Sequence, residues 1–393
     1  MTSTADKRLS IVCFIDALGW EVLRGRRFLE ERLPHRRKLR STFGFSSACV
    51  PSILSGLTPR EHKHWSFFYY DPASSPFKPL KALSVLPRSI VDRGRVRNQL
   101  SKLVKRAYGY TGYFQLYSLP FSRIGLFDYC EKKDLFKPGG LNRGENIFDL
   151  LERARVPYHV SNWREPEDAN LAAVKADIER GDIRFAFLYM AAMDALLHDV
   201  GKESPQVDAK LAWYERELNA LLEVAERHYD EVRLFVCSDH GMATVHTHID
   251  LMARIEALGL AFDKDYVATY DSTMGRFWFK HEDARRRIVA ALEQEPNGRI
   301  LPDAELAALG CDFDGHQYGE LIFLTNPGVI IVPSHMGLKP ITGMHGYHPD
   351  DPDSDAALLS NVPPPGDPQA ITDVFHVMKS EAGLGGEGLG ARG

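Results

Sequence analysis

A chain of 393 residues, 44% hydrophobic and 26% charged, is long enough for one large α/β domain or for a core with a smaller domain attached, and has the balance of an ordinary soluble enzyme. Its formal net charge of −5 argues against a general affinity for nucleic acid. The five cysteines (Cys13, Cys49, Cys130, Cys237 and Cys311) are scattered, odd in number and without a CxxC pair, which argues against a disulfide framework and a thiolate zinc site.

The first stretch, MTSTADKRLSIVCFIDALGW, holds a short apolar run from Leu9 to Ile15 with no small-residue cleavage pattern behind it. No signal peptide is predicted, no stretch has the length of a bilayer span, and the expected location is the cytoplasm. LSIVCFID reads as a buried strand, rich in β-branched and aromatic residues and closed by Asp16. Cys13, like Cys49 and Cys237, lies in or beside an apolar run and is expected to pack as a small hydrophobe. Further on, Ser46 and Ser47 precede an apolar run, Ala48 to Leu54, that predicts a helix ending at Gly56.

Residues 68–142 interrupt this pattern and are aromatic and locally basic. Between Lys78 and Arg106, Lys81, Arg88, Arg93, Arg95, Arg97, Lys102 and Lys105 are set against one acid, Asp92. NIFDLLERARVPYHVSN then predicts a helix followed by a strand, and RFAFLYM, Arg184 to Met190, a second buried strand. From Asp208 to His228 the residues Leu211, Tyr214, Leu218, Leu221, Leu222 and Ala225 recur at helical spacing. EVRLFVCSD ends the next buried strand in Asp239. Residues 262–328 hold a strand (RFWFK), a helix (EDARRRIVAALEQ) and a further strand (GELIFLT), the makings of a small α+β cap. NVPPPGDP is a rigid turn or linker, and a flexible tail is expected over 381–393. The tail matches GxGxxG through Gly383, Gly385 and Gly388, but it follows no strand and opens no helix, so it is no nucleotide fingerprint.

Strands alternating with helices predict an α/β fold with a mostly parallel central sheet sandwiched by helices. Residues 1–67, 143–261 and 329–380 would form its core, 68–142 an insert and 262–328 the cap. In such sheets ligands gather at the carboxyl ends of the strands, which is where Asp16 and Asp239 stand.

Four separated segments carry potential metal ligands. Asp16 closes the first strand, and MDALLHDVG supplies Asp194 and His198 four residues apart, on one face of a helical turn. SDHGM supplies Asp239 and His240, and MHGYHPDD supplies His345 and His348 in a Gly-flanked loop. Carboxylate oxygen and imidazole nitrogen are the donors that zinc and similar ions take in catalytic sites. Singly, each segment has a plain structural reading as a cap, a turn or a solvated helix face. Jointly they form a set of buried carboxylates that would be costly without cations. A hydroxyl at a helix N-terminus, as at Ser46 and Ser47, sits beside backbone N–H groups that bind phosphate, although its commonest role is an N-cap.

In this order the motifs resemble those of the alkaline phosphatase superfamily, specifically its type I phosphodiesterase/nucleotide pyrophosphatase branch. An Asp closes the first strand, a Ser or Thr helix start leads to LSGLTPREH, and DALLH, SDHGM and MHGYH follow. The resemblance covers roughly residues 9–66 and 145–350 and leaves 68–142 unmatched. It implies an alkaline-phosphatase-like fold and two divalent ions, zinc or else manganese. Asp16, Ser46, Asp239 and His240 would hold one ion, and Asp194, His198 and His345 the other. It also implies Ser46 as nucleophile, because the superfamily's nucleophile lies ten positions before the residue matching Gly56. Ser47 is the runner-up, and its backbone N–H would bind a phosphate oxygen. His348 would support the ligands from behind, whereas His246 and His248 have no counterpart and are expected at the surface. Two departures stand out: Lys63 occupies a position where relatives usually carry Gly, and the Asn that often contacts phosphate has no obvious match.

The expected chemistry is hydrolysis of a phosphodiester or pyrophosphate bond through a phosphoserine-type intermediate on Ser46. The substrate would be a small phosphorylated molecule, nucleotide- or lipid-linked. A phosphomonoesterase would use the same ligands. A sulfatase is suggested by CVPSI, but the Arg of that signature is missing and Cys49 lies only seven positions before Gly56. A non-enzymatic alternative is a metal-retaining binding protein or a lipid-surface module using the basic 78–106 segment. The cations near Tyr108, Tyr110, Tyr113 and Tyr117 suit a lid over an anionic substrate or, equally, an excursion packed on the core.

Overall fold

The computed structural model describes residues 7–87 and 91–385, so Arg88 of the basic run and Gly388 of the tail lie outside the described residues. Six strands form the central sheet in the order His35–Leu39, Ala356–Ser360, Glu231–Cys237, Arg8–Ile15, Phe185–Met190 and Tyr158–Val160. The last four run parallel, while Ala356–Ser360 is antiparallel to both of its neighbours. The sheet is therefore mixed, with the parallel part matching the expected pattern.

Strand periodicity explains the continuous apolar runs, because alternate residues must satisfy two covered faces. Ile11, Cys13 and Ile15 join one cluster with Leu211, Leu218 and Leu222 of the long helix Pro205–His228. Val12 and Phe14 join the opposite cluster with Ile53, Phe148 and Phe375 from three other helices. Each such side chain, fully buried, contributes about 1.5–3 kcal/mol. The long helix starts cleanly, with the Ser204 side chain accepting from the Gln206 N–H and Pro205 at the first turn.

A second sheet, antiparallel, has the order Tyr266–Tyr270, Met274–Phe279, Leu321–Thr325 and Gly298–Ile300. The helix Glu282–Glu293 buries Ala284, Ile288 and Leu292 as part of this unit. The insert rests on this sheet: Phe68–Tyr70 pairs with Phe127–Tyr129, and Phe68, Phe127 and Tyr129 pack with Val267 and Trp278. Its basic helix, Gly94–Tyr108, buries Arg97, which pairs with Asp92 at 2.6 Å and donates to the Leu119 carbonyl. Part of the basic run is thus structural. Glu381, placed with the tail on sequence grounds, closes the helix Asp373–Glu381 and is buried, accepting from Ser10 at 2.8 Å and pairing with Arg233 at 3.1 Å. No helix among the described residues is long and apolar enough to cross a membrane.

Candidate active site

The site forms where the parallel strands end. Asp16 follows Ile15 at the end of the central strand, and Asp239 and His240 follow the neighbouring strand Glu231–Cys237. Past the end of the strand on the other side, the helix Ala192–Val200 carries Asp194 and His198 on successive turns. The loop after the short strand Gly343–Met344 brings in His345. Four distant segments therefore meet at one sheet edge, and their donors fall into two groups. Asp16, Asp239 and His240 form one, and Asp194, His198 and His345 the other, with the donor atoms of each within 4.8 Å of one another.

Distances within each group suit joint ligation. His240 Nε2 lies 3.1 Å from Asp239 Oδ2 and 3.7 Å from Asp16 Oδ1. Asp194 Oδ1 lies 3.3 Å from His198 Nε2 and 3.5 Å from His345 Nε2. Asp16 Oδ1, Asp239 Oδ2 and Asp194 Oδ1 are buried without a hydrogen-bond partner, an expensive state that a cation would relieve. His345 Nδ1 is likewise buried without a partner, whereas several other polar atoms of the set are taken up in ways that aim these ones. His240 Nδ1 bonds the Gly241 carbonyl and His198 Nδ1 the Gly343 carbonyl, which turns each Nε2 inward. Asp239 Oδ1 accepts from the N–H groups of Ala17 and His240, and Asp16 Oδ2 accepts from the Tyr189 hydroxyl at 2.7 Å. Ala17, directly after Asp16, has a φ of 61°, a strained conformation of the kind that collects at functional sites.

Burial and the neighbouring carboxylates raise the Asp16 carboxyl well above its usual range. Burial likewise pushes Asp194 and Asp239 up to about 7. The three imidazoles move the other way, lowered first by burial. These are the shifts expected of a crowded, desolvated ligand set lacking its counter-charge.

Ser46 Oγ stands 3.1 Å from His240 Nε2, at the first position of the helix Ser46–Ser55. The helix is capped by Phe45 without a side-chain bond, so neither serine serves as N-cap. Ser47 Oγ instead donates to the Trp65 carbonyl at 2.7 Å. Gly56 ends the helix with a φ of 70°.

A family model for "Type I phosphodiesterase / nucleotide pyrophosphatase" matches residues 35–348. The chain belongs to that family. The match spans Ser46 and every metal-ligand candidate except Asp16, and phosphodiester hydrolysis is the activity that this membership supports. Comparison with curated proteins yields no match. Among solved structures, murine ectonucleotide pyrophosphatase / phosphodiesterase 5 is similar over 98% of this chain and 97% of its own, with 15% identity and a TM-score of 0.69. An inactive variant of the same murine protein in complex with AMP covers 98% of each chain at 15% identity and a TM-score of 0.68. The human counterpart covers 96% and 95% at 13% identity and 0.68. These likenesses show the same fold.

The candidate site opens into a cavity of about 540 Å³. Ser46, Ser47, Asp16, Asp194, His198 and His345 are among its lining residues, and so are Phe67, Tyr113, Tyr117, Glu131, Phe136 and Trp163. Of the four insert tyrosines singled out in the sequence, Tyr113 and Tyr117 reach it. Tyr108 and Tyr110 instead stack on each other, with ring centroids 5.8 Å apart. None of the described basic-run cations lines the cavity, so the expected pairing of those cations with substrate is absent there.

His348 pairs with Glu305 at 2.9 Å and with Asp350 at 3.4 Å, away from both ligand groups, rather than supporting them. His246 and His248 are exposed. Cys49 is buried against Ser41 and the Thr42 carbonyl, outside the cavity, and its thiol is raised by burial, which removes the sulfatase reading. Lys63 has a φ of 64°, the left-handed conformation for which glycine is the usual choice. Sequence reasoning missed Tyr189, Phe67 and Glu131. Only Tyr189 carried a signal: its register opposite Phe14 places a hydroxyl two residues from Asp16 at the strand ends.

Proposed function

We propose that the protein cleaves a phosphodiester or pyrophosphate bond of a small substrate with Ser46 as nucleophile. The observation that carries this reading is Ser46 Oγ at 3.1 Å from His240 Nε2, beside two groups of three inward-facing ligands. Asp16, Asp239, His240 and Ser46 Oγ would hold one divalent ion, and Asp194, His198 and His345 the other. Their oxygen and imidazole donors suit zinc, with manganese as the alternative. Once bound, such ions supply acidification of hydroxyl and water and offset charge on the phosphoryl oxygens.

Ser46 gives up its proton to solvent and forms a new O–P bond as the ester O–P bond in line with it breaks. The departing alkoxide leaves as an alcohol after taking a proton from solvent. Water then attacks the phosphoserine, breaking the Ser46 O–P bond and restoring the hydroxyl. In the first turn of the helix, the Ser47 N–H is suited to bind a phosphoryl oxygen.

The cavity favours a diester over a monoester. No Lys or Arg among the described residues lines it, so a dianionic monoester finds no cationic side chain there. Its aromatic walls offer apolar contact to a second ester substituent instead. The AMP complex of the murine neighbour agrees with a substituent of nucleotide size, although the fold likeness alone does not select it. The test is turnover of bis-p-nitrophenyl phosphate against p-nitrophenyl phosphate by zinc- or manganese-loaded protein, with and without chelator. Chelator-sensitive cleavage that prefers the diester is expected; no turnover with either metal would overturn the reading.

A further inference from the structure

The cations of the helix Gly94–Tyr108, which contains no acid, divide by direction. Arg97 is buried against Asp92, and Lys105 donates to the Gly112 carbonyl at 2.6 Å. Arg95, Lys102 and Arg106 point the other way. With Gln99 they follow one another at i, i+4, i+7 and i+11, the spacing of a single helix face, and all four are exposed. The three cations make no hydrogen bond and no ion pair among the described residues. By contrast, the exposed Arg24, Arg32 and Arg40 each pair with a carboxylate. On a chain of net charge −5, this helix face is an unmatched positive patch.

Apolar surface accompanies it. Six large apolar side chains are exposed among the described residues, and four of them, Val85, Leu86, Leu103 and Tyr108, belong to this part of the insert. Leu103, next to Lys102, is 63% exposed. Val85 is 84% exposed at the end of the segment Lys78–Val85, none of whose residues is buried. That segment packs beside the helix: Leu80 and Leu83 share a cluster with Leu100 and Val104, and the Tyr108 hydroxyl donates to the Pro76 carbonyl at 2.6 Å. The remaining two, Leu338 and Ile341, extend the apolar surface toward the candidate site. Leu338 and Leu86 line a second cavity, of about 480 Å³, and Ile341 lines that of the site. Single exposed apolar residues are ordinary, whereas a group of them bordered by unmatched cations marks an interaction surface.

A duplex nucleic acid would match the cations but offers no apolar phase to Leu103 and Val85, and the centres of protein interfaces are depleted of lysine. A bilayer with anionic headgroups matches both features. Its phosphates meet the cations, and short apolar side chains enter the acyl boundary while the Arg and Lys stems lie along it. We infer that this face of the insert docks the protein on an anionic lipid bilayer, with Arg95, Lys102 and Arg106 against headgroups and Val85 and Leu103 between them. Such docking is peripheral, and it is independent of the reading of the site as a phosphodiesterase.

The experiment is sedimentation of the full chain with sucrose-loaded vesicles of phosphatidylcholine, alone or enriched in phosphatidylglycerol. Binding to the anionic vesicles is expected to be at least about tenfold tighter than to the neutral ones, and to weaken as salt is raised from about 0.1 to about 0.5 M. Replacing the three cations together (Arg95→Gln, Lys102→Gln, Arg106→Gln) should weaken it about 100-fold, roughly fivefold for each charge removed. Val85→Ser with Leu103→Ser should weaken it about tenfold and leave the salt dependence in place. These five side chains are exposed, so the melting temperature and the turnover of bis-p-nitrophenyl phosphate without vesicles should stay near those of the unaltered protein. No binding by the unaltered protein, or equal binding to neutral vesicles, would overturn the inference without recourse to any variant. Tighter binding to a duplex oligonucleotide than to the anionic vesicles would overturn it in favour of nucleic acid. Vesicle binding unchanged in the serine variant would overturn it as well, since charge alone would then hold the protein at the surface. Because binding is read directly, a protein that docks but hydrolyses no diester would refute the hydrolase reading and leave the docking surface standing.

Discussion

The imidazoles of His240 and His345 lie face to face, their centroids 3.7 Å apart and their planes 13° from parallel, although they belong to different ligand groups. Two protonated rings could not tolerate that stacking, and burial lowers both, His345 further through His240 itself. The metal-free histidines are therefore neutral and ready to donate, and the protons that compete with metal sit on the carboxyls. Asp194 and Asp239 are raised to about 7, so below that pH each holds a proton that a bound cation must displace. Apparent zinc affinity is expected to rise with pH through about 7, where Asp194 and Asp239 lose their protons, and to level off only once Asp16, raised as well, has lost its own. Calorimetry in buffers of different ionisation enthalpy should detect more proton release on loading at about pH 6 than at about pH 8.5. Constant release across that range would contradict the assignment of these carboxyls as ligands.

Ser46 and Ser47 are neighbours with opposite commitments, one facing His240 and the other bonded to the Trp65 carbonyl. Ser46→Ala should lower diesterase turnover on the order of 10³-fold or more while leaving the melting temperature near that of the unaltered protein. Ser47→Ala should cost about 1 kcal/mol of stability through the lost buried hydrogen bond and retain most of the turnover, since its backbone N–H persists. Turnover and thermal melts of both variants, measured side by side, decide between the two serines.

Legibility followed the physical reach of each signal. LSIVCFID and EVRLFVCSD announced themselves because strands covered on both faces must be apolar throughout. HRRKL did not read as a strand, since His35–Leu39 is an edge held by backbone pairing to Ala356–Ser360, with solvated side chains. AALLS carries weak β-propensity and becomes a strand through the two neighbours it bridges. The candidate ligands were legible because their residue types are chemically specific and their order matched a known pattern, and the structure brings them together. Glu131 and Phe67 could not, because nothing local marks them; the fold alone brings them to the cavity. The basic run misled in part, since Arg97 is turned inward to Asp92.

Arg276 is fully buried in the second sheet, paired with Asp271 at 3.0 Å and donating to Ser66 Oγ and to the carbonyls of Phe68 and Tyr318. It ties the sheet to the segment that leads from the helix Ser46–Ser55 into the insert. Arg276→Met would leave Asp271 charged and buried with only Ser66 as a side-chain donor. The expected loss is about 3–5 kcal/mol in urea unfolding, with partial recovery on adding Asp271→Asn. A loss below about 1 kcal/mol would mean that water reaches the pair.

Tyr189 orients a ligand without reaching for an ion itself. Its hydroxyl donates to Asp16 Oδ2 at 2.7 Å, and its ring is wedged between Phe14 and Phe136, at centroid distances of 5.2 and 5.0 Å. Tyr189→Phe keeps the wedge and removes only the donor. Asp16 Oδ1 would then be free to rotate away from His240, so metal affinity should fall by about 10–100-fold, the usual effect of losing a partner behind a ligand. Raising the zinc concentration should restore turnover, so the defect would appear as a shifted metal titration with nearly unchanged kcat at saturation. A kcat that stays low at saturating zinc would show instead that the hydroxyl contacts the reacting phosphate from its position on the cavity wall.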